Sequence, residues 1–195
     1  MPGHRTPRSD RISRLRFPLR GRRVELLLPT AAEVPETARL LNEPSVSRYT
    51  LHIPYPYRER HGRDWVRIAA KGRRTGRSLG LTVVRRADGA ILGGVGLDDI
   101  SENDSAELGY WIGREHRGKG YASEAVDLMV RTGFRRLGLF RIEALVFPAN
   151  AASRRVLKKC GFRFEGRLRG EAWKNGRWQT TLLFARLRTD PPVRR

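Results

Sequence analysis

Cysteine, histidine and long apolar stretches are all scarce in this sequence of 195 residues. Because Cys160 is the only cysteine, no intrachain disulfide can form. The four histidines are scattered and no two have ligand spacing, so we expect no zinc or other metal site. No apolar run approaches the roughly 18 residues of a membrane span, and the first residues lack the apolar stretch of a secretory signal. The sequence therefore predicts a cytoplasmic protein with no membrane partner.

Negative charge is also in short supply. The chain has 40 lysine and arginine residues against 20 aspartate and glutamate residues, which gives a formal net charge of +20, and nearly all of the positive charge is arginine. Arginine stays charged at any ordinary pH and binds phosphates and carboxylates through two parallel hydrogen bonds. We therefore expect the chain to attract anions such as nucleotides, nucleic acid or acidic proteins. An arginine-rich proteome or adaptation to heat would produce the same bias.

Low apolar content sets the first residues apart from the rest of the chain. Residues 1–13 mix proline, glycine, serine and arginine, which predicts a flexible basic N-terminal arm. Eight arginines fall within residues 1–23, where Asp10 is the only acidic residue. The length and the hydrophobic fraction of 39% suit one domain with a substantial core. We place that domain at residues 14–188 and a short C-terminal tail at residues 189–195.

Apolar periodicity predicts a mixed α/β chain. A capping box at Thr30 and Glu33 marks the start of a helix, and Asp88-Gly89 marks a hairpin turn. The predicted elements are a strand pair over 14–28, helices over 30–42 and 58–74, strands over 79–85, 91–97 and 105–112, a helix over 120–137, a strand over 141–147, a helix over 150–160 and a hairpin over 162–187. Residues 44–57 are predicted to form a loop rich in proline and tyrosine. This order is compatible with several folds.

A glycine-rich segment, Arg114–Ala122, lies between a predicted strand and the start of a long helix. Its glycines permit a tight turn in which several backbone N–H groups face one point, and the helix N-terminus adds partial positive charge. The pattern predicts a diphosphate site, although a glycine-rich turn with solvated basic residues would look the same. Gly113–Lys119 begins like a Walker A loop, but Gly120 replaces the serine or threonine that holds magnesium, which argues against an NTPase.

Four motifs in register resemble one family. Arg117–Ala122 matches Q/R-x-x-G-x-G/A, the signature with which GNAT N-acetyltransferases bind acetyl-coenzyme A (acetyl-CoA). Asn150–Ser153, followed by Cys160-Gly161-Phe162 and Glu165-Gly166, is similar to elements of the RimJ/RimL-type branch, which acetylates the N-termini of ribosomal proteins. Glu107–Ile112 is similar to the strand that precedes the signature in that branch. The resemblance covers most of the second half of the chain.

The resemblance implies a fold and a cofactor. The fold is α/β, with a central, mostly antiparallel sheet that is flanked by helices and splays into a V between strands 105–112 and 141–147. Acetyl-CoA would enter this gap, its diphosphate held by backbone amides of the signature and its pantetheine arm by freed backbone groups and an asparagine. The residues that the resemblance assigns to cofactor binding are Tyr110, Trp111, Ile112, Arg117, Gly118, Lys119, Gly120, Tyr121, Ala122 and Asn150.

Acetyl transfer to an amine needs a base for the amine proton, stabilisation of charge on the carbonyl oxygen, and a proton for the departing thiolate. Glu107 is the predicted base, because it lies on the strand before the signature, where related enzymes often place one. A water chain from Asp98, Asp99 or Glu102 is one alternative. The other is that Glu107 is a solvent-facing strand residue without a catalytic role.

The predicted acid is Ser153. Many GNAT enzymes use a tyrosine seven residues after the asparagine, but that position is Leu157 here, which rules out this acid. Ser153 takes the place of the serine proposed for the RimJ/RimL-type branch, and the alternative is a serine that only caps the helix. Cys160 abuts a helix end without a histidine nearby in sequence, which argues against a nucleophilic role. The resemblance implies direct transfer rather than a covalent intermediate.

The acceptor is predicted from charge and from the resemblance. A chain of charge +20 repels cationic aminoglycosides at long range and attracts acidic or ribosome-associated targets, which, with the acceptors of the branch it resembles, favours the N-terminal α-amino group of a ribosomal protein. The alternatives are a small-molecule amine acceptor and a catalytically degenerate GNAT-fold module that binds RNA or the ribosome. Either a monomer or a homodimer is compatible with the sequence. The aromatic residues that would line an acceptor cleft are Tyr49, Tyr55, Tyr57, Trp173 and Trp178.

Overall fold

Short apolar runs and alternating segments of the sequence together form one central sheet. In the computed structural model, which describes residues 7–193, eight strands form one sheet in the order β1-β2-β3-β4-β5-β6-β8-β7. All neighbours are antiparallel except β5 and β6, which are parallel, so the predicted mixed, mostly antiparallel sheet is confirmed. The strands are β1 (Leu19–Arg20), β2 (Val24–Leu27), β3 (Leu79–Arg85), β4 (Ile91–Asp98), β5 (Ser105–Ile112), β6 (Arg141–Val146), β7 (Arg163–Lys174) and β8 (Arg177–Leu187).

Six helices of the described residues flank this sheet. The capping box predicted at Thr30 and Glu33 is present just before α2. The segment predicted as a tyrosine-rich loop contains one short helix, α3. No helix in this part of the chain is long and apolar enough to cross a membrane. The helices are α1 (Arg8–Ser13), α2 (Val34–Leu41), α3 (Pro44–Ser47), α4 (Glu59–Thr75), α5 (Tyr121–Arg135) and α6 (Ala151–Lys159), with 3-10 turns at Ala31–Glu33 and Arg114–His116.

The two parallel strands separate soon after they begin. β5 and β6 are joined by three residue pairs, which run from Ser105 opposite Arg141 to Glu107 opposite Glu143. Beyond that point β5 stays paired with β4 as far as Ile112, while β6 stays paired with β8. The sheet therefore opens into a V whose inner edges are the second halves of β5 and β6, as the family resemblance implies.

Successive side chains of β5 point to opposite faces of the sheet. Leu108 and Tyr110 belong to the larger hydrophobic core, which includes the buried side of α5. Trp111 packs instead against a smaller core that contains residues of α2 and α3. We refer to these as the α5 face and the α2 face of the sheet. The gap between β5 and β6 is therefore bordered by the larger core on the α5 face and by the smaller core on the α2 face.

The prediction of a flexible arm over residues 1–13 is wrong for the part of it that the structure describes. Six of these residues form α1, and the side chain of Ile12 is 1% exposed within the larger core. Arg8 forms an ion pair of 2.5 Å with Asp104. This contact joins positions 96 residues apart, so a prediction based on the local composition of residues 1–13 could not include it. Residues 1–6 lie outside the described part of the chain.

Candidate active site

Six consecutive backbone N–H groups at the start of α5 are unpaired and form a candidate anion site. None of the N–H groups from Gly118 to Ser123 has a protein acceptor among residues 7–193. Gly118 and Gly120 have φ values of 75° and 81°, a left-handed conformation that glycine adopts without strain. Unpaired amides around such turns, together with the dipole of the 15-residue helix α5, suit the two negative charges of a diphosphate. The donor set therefore fits the diphosphate of a nucleotide cofactor.

The two basic side chains of the signature hydrogen-bond to other groups of the protein. Arg117 donates from Nε to the carbonyl oxygen of Ile112 at 3.0 Å and from Nη1 to Oγ of Ser45 at 2.9 Å. Lys119 donates from Nζ to the carbonyl oxygen of Glu115 at 3.1 Å. The Arg117 side chain thus ties the signature loop to β5 and α3. A direct contact of either side chain with the cofactor stays a prediction.

The free end of β5 consists of Tyr110, Trp111 and Ile112. These residues pair with β4 but lie beyond the last pair with β6. The carbonyl oxygen of Ile112 accepts a hydrogen bond from Nε of Arg117, which occupies one of its two lone pairs. Contacts of the backbone groups of this segment with the cofactor stay predictions.

A pair of hydroxyl groups joins β5 to α6 on the α5 face. Oη of Tyr110 lies 2.7 Å from Oγ of Ser153. Burial raises the pKa of Tyr110 above its usual value, so the phenol keeps its proton at neutral pH. Asn150 is the N-cap of α6, and its side-chain oxygen accepts a hydrogen bond from the Ser153 N–H at 3.1 Å. Ser153 is thus fixed from two sides, and the amide oxygen of Asn150 is already engaged in a helix cap.

Glu107 lies on the α2 face, at the residue pair after which β5 and β6 part. Partners on neighbouring strands share a face of the sheet, and Glu107 stands opposite Asp98 of β4 and Glu143 of β6. The carboxylates of Asp99 and Glu171 also act on its charge. We call these five residues the carboxylate cluster. Arg141 pairs with Glu143 at 2.9 Å, and the other four carboxyl groups concentrate negative charge in a chain that has twice as many basic as acidic residues.

The pKa of Glu107 is raised to about 7. Desolvation of its carboxyl group is the largest cause, and repulsion from the four other carboxylates of the cluster adds to it. A carboxylate with this pKa accepts a proton near neutral pH, which is the property of an effective general base. No group of three or more His, Cys, Asp or Glu side chains among the described residues is arranged to hold a metal ion.

The structure does not bring the two predicted catalytic side chains into contact. Glu107 lies on the α2 face of β5, whereas Ser153 contacts Tyr110 on the α5 face. Glu107 belongs to the last pair of β5 with β6, and Ser153 contacts the side chain of Tyr110 on the part of β5 beyond that pair. A group held in that gap can be approached by a base from one face and by a proton donor from the other.

Several other candidates have structural roles or remain untested. Tyr57 is 7% exposed in the smaller core, so it does not line an acceptor cleft as predicted. Burial raises the pKa of Cys160 to about 12, which keeps this thiol protonated and unreactive. Trp173 and Trp178 are exposed near the tip of the β7–β8 hairpin with ring centroids 5.2 Å apart. Their place in an acceptor cleft stays a prediction.

The side chains of Tyr110 and Arg23 are missed by sequence reasoning. The family resemblance uses only the backbone of Tyr110, and its hydroxyl meets Ser153 only because α6 packs beside β5. Arg23 reaches the signature loop, where Nη1 donates to the carbonyl oxygen of Lys119 at 3.0 Å. The two residues of that contact are 96 positions apart, so no local sequence pattern predicts it.

A sheet that splays between two parallel strands, with unpaired N–H groups that fit a diphosphate at the next helix and a carboxyl group of raised pKa beside the gap, is the arrangement expected of an acyltransferase that uses a nucleotide-linked donor. The particular family follows from the sequence. The profile of the Acetyltransferase (GNAT) domain matches residues 23–163, and the chain belongs to this family of acetyltransferases.

Three relatives illustrate the match. The chain is 33% identical to p20 of Bacillus licheniformis, an uncharacterised N-acetyltransferase, over 76% of this chain and 84% of that one. It is 28% identical to YdaF of Bacillus subtilis (strain 168), a protein provisionally named as a ribosomal N-acetyltransferase, over 86% of this chain and 91% of that one. The structure of Mycobacterium smegmatis RimJ in complex with CoA-disulfide superposes with a TM-score of 0.78 at 25% identity, covering 84% and 81% of the two chains.

Proposed function

We propose that this protein transfers the acetyl group of acetyl-CoA directly to the N-terminal α-amino group of a protein in the cytoplasm. The observation that carries the proposal is the row of six unpaired N–H groups from Gly118 to Ser123, whose donors fit the diphosphate of acetyl-CoA. The CoA-disulfide bound to Mycobacterium smegmatis RimJ supports the same cofactor here. Acetyl-CoA, when bound, supplies an activated thioester.

Glu107 serves as the general base. Its pKa of about 7 leaves it mostly ionised slightly above neutral pH. An α-amino group has a pKa of about 8, so the proton moves between groups of similar affinity, which suits proton transfer during attack. The carboxylate is on the α2 face, so the acceptor amine approaches the gap from that face.

Tyr110 and Ser153 hold the proton on the other face. The raised pKa of Tyr110 keeps its hydroxyl protonated, and the 2.7 Å contact aligns it with the Ser153 hydroxyl. The pair therefore offers a proton on the side of the gap opposite Glu107, where a departing thiolate needs one. Backbone N–H groups at the free edge of β5 would stabilise the charge on the carbonyl oxygen.

The carboxylate cluster favours a second candidate, a small cationic amine. Asp98 and Glu143 stand on either side of Glu107 in the sheet, and Asp99 and Glu171 add negative charge. Arg141 pairs with Glu143 at 2.9 Å, but the other carboxyl groups place negative charge near the base, whereas the net charge of +20 predicts repulsion of cationic aminoglycosides at long range. Provisional naming of YdaF as a ribosomal N-acetyltransferase supports a protein N-terminus, which we keep as the first candidate.

The cofactor is tested first, by calorimetric titration of acetyl-CoA into the protein and into Gly120→Trp. Gly120 has a φ of 81°, and a Cβ there would lie 3.0 Å from Nη2 of Arg23, so a bulky side chain fills the diphosphate site. We expect micromolar binding to the parent protein and a loss of at least about a hundredfold in the variant. Gly89→Trp is the matched control, because Gly89 has a φ of 73° on an open turn with nothing within 4 Å of its Cβ position.

The acceptor is then tested by acetyl-CoA consumption with N-terminal peptides and with small polyamines. Turnover of peptides above polyamines supports the first candidate, and the reverse order replaces it with the second. If acetyl-CoA does not bind the parent protein, the acetyl-transfer proposal fails, and a module that binds RNA or the ribosome becomes the leading interpretation.

A further inference from the structure

Arg23 is distant in sequence from the signature loop, but its side chain lies beside the proposed diphosphate site. Arg23 directly precedes β2, and its guanidinium lies 5.2 Å from the ring centroid of Tyr121, the first residue of α5. Nη1 donates to the carbonyl oxygen of Lys119 at 3.0 Å. A basic residue from the N-terminal part of the sheet thus touches the loop whose N–H groups fit a diphosphate.

Glu124 holds the guanidinium in this position. Its carboxylate accepts hydrogen bonds from the backbone N–H of Arg23 at 2.6 Å and from Nε at 3.1 Å. It also accepts one from the N–H of Val24 at 3.3 Å. Desolvation acts to raise the pKa of Glu124, but these hydrogen bonds outweigh it and lower the pKa, so the carboxylate stays ionised. The ion pair fixes where the remaining guanidinium nitrogen points.

That remaining nitrogen, Nη2, has no hydrogen-bond acceptor among residues 7–193. It lies 3.0 Å from the position that a Cβ on Gly120 would occupy, next to the unpaired N–H groups. Planar guanidinium groups bind phosphate oxygens strongly, because each hydrogen bond is assisted by charge. We propose that Arg23 is a further cofactor-binding residue, which fixes the signature turn through Nη1 and donates from Nη2 to the diphosphate of acetyl-CoA.

This inference rests on the proposed use of acetyl-CoA, and the experiment separates the two. Calorimetry measures the affinity of the parent protein, Arg23→Gln and Arg23→Lys for CoA, 3′-dephospho-CoA and pantetheine. We expect Arg23→Gln to lose about tenfold or more in affinity for CoA and for 3′-dephospho-CoA, which both keep the diphosphate, and to bind pantetheine like the parent protein. Arg23→Lys keeps the charge without the planar fork, so we expect an intermediate loss.

Arg22→Gln is the matched control, because Arg22 is the exposed neighbour and its removal changes the net charge by the same amount. We expect this variant to bind all three ligands within about twofold of the parent protein. Equal losses in Arg22→Gln and Arg23→Gln would reduce the effect to long-range charge and overturn the proposal. An equal loss of pantetheine binding in Arg23→Gln would overturn it in favour of a purely structural role. A loss for CoA alone would overturn the diphosphate assignment.

If Arg23→Gln binds CoA like the parent protein while Gly120→Trp does not, Arg23 has no part in binding and the cofactor site stands. If the parent protein itself binds no CoA, the proposed function fails with it. Thermal unfolding of each variant shows whether a loss of affinity comes from a loss of fold.

Discussion

Glu107 lies at the opening of the sheet and has a pKa of about 7. Its pKa and its proposed role as the base can both be tested by kinetics. A base works only when ionised, so kcat/KM should rise with pH through about 7, in addition to the rise near about 8 that comes from an α-amino acceptor. We expect Glu107→Gln to lose the lower transition and to fall about a hundredfold in kcat/KM at pH 8. A pH profile of acetyl-CoA consumption with one peptide acceptor measures both effects.

Glu102→Gln separates this assignment from a water chain. Glu102 is exposed on the turn before β5, and we expect its replacement to leave the profile unchanged. Loss of the lower transition in Glu102→Gln, with Glu107→Gln unaffected, would move the base to the other end of a water chain. Stability gives an independent readout, because a raised pKa means that the folded state favours the protonated carboxyl. That stabilisation is present below pH 4.5 and lost by about pH 7, so Glu107→Gln should gain up to about 3 kcal/mol over the parent protein at pH 8 and little at pH 4.5.

Residue identity predicts part of this site and pairing geometry determines the rest. Glu107 is predictable because it stands a fixed distance before a recognisable signature, and the glycines are predictable because few other residues adopt a positive φ. The environment of Glu107 is not, because Asp98, Glu143 and Glu171 come from three other strands whose order in the sheet no local pattern gives. The partnership of Tyr110 with Ser153 depends in the same way on how α6 packs.

Helices and strands with strong periodicity are predicted well, and their assembly is not. The strands predicted over 79–85 and 105–112 have those bounds in the structure, because each contains an uninterrupted apolar pattern between clear turns. The placement of β8 between β6 and β7 depends on contacts across the whole second half of the chain. Short elements such as α1 are missed because their stability comes from distant partners rather than from their own sequence.

The helix α1 gives the element-scale prediction. Ile12 is 1% exposed in the larger core, and replacing a buried isoleucine by alanine removes packing that the surroundings cannot fully restore. We expect Ile12→Ala to lower the free energy of unfolding by about 2–4 kcal/mol, as measured by urea denaturation. Arg16→Ala alters an exposed side chain after the helix, and we expect a change within about 0.5 kcal/mol. Equal stability of Ile12→Ala and the parent protein would show that α1 does not dock on the core in solution.

The whole molecule carries two electrostatic fields of opposite sign. The net charge of +20 acts at long range, while the carboxylate cluster acts within a few ångströms of Glu107. The overall composition gives only the net charge, so a prediction based on composition alone argues against cationic acceptors. Which field decides the choice of acceptor depends on how close the acceptor's second charge comes to Asp98, Asp99 and Glu143.

Two peptides that differ only at the second residue, arginine in one and glutamate in the other, distinguish these fields. If the cluster decides, the arginine peptide has the lower KM by about three- to tenfold at 50 mM salt. Salt screens exposed charges, so that preference should shrink at about 500 mM. A lower KM for the glutamate peptide, again lost at high salt, would mean that the net charge governs approach and that the cluster serves only to raise the pKa of Glu107. A preference that does not change with salt would assign the selection to the shape of the acceptor cleft, because contact packing is not screened by ions.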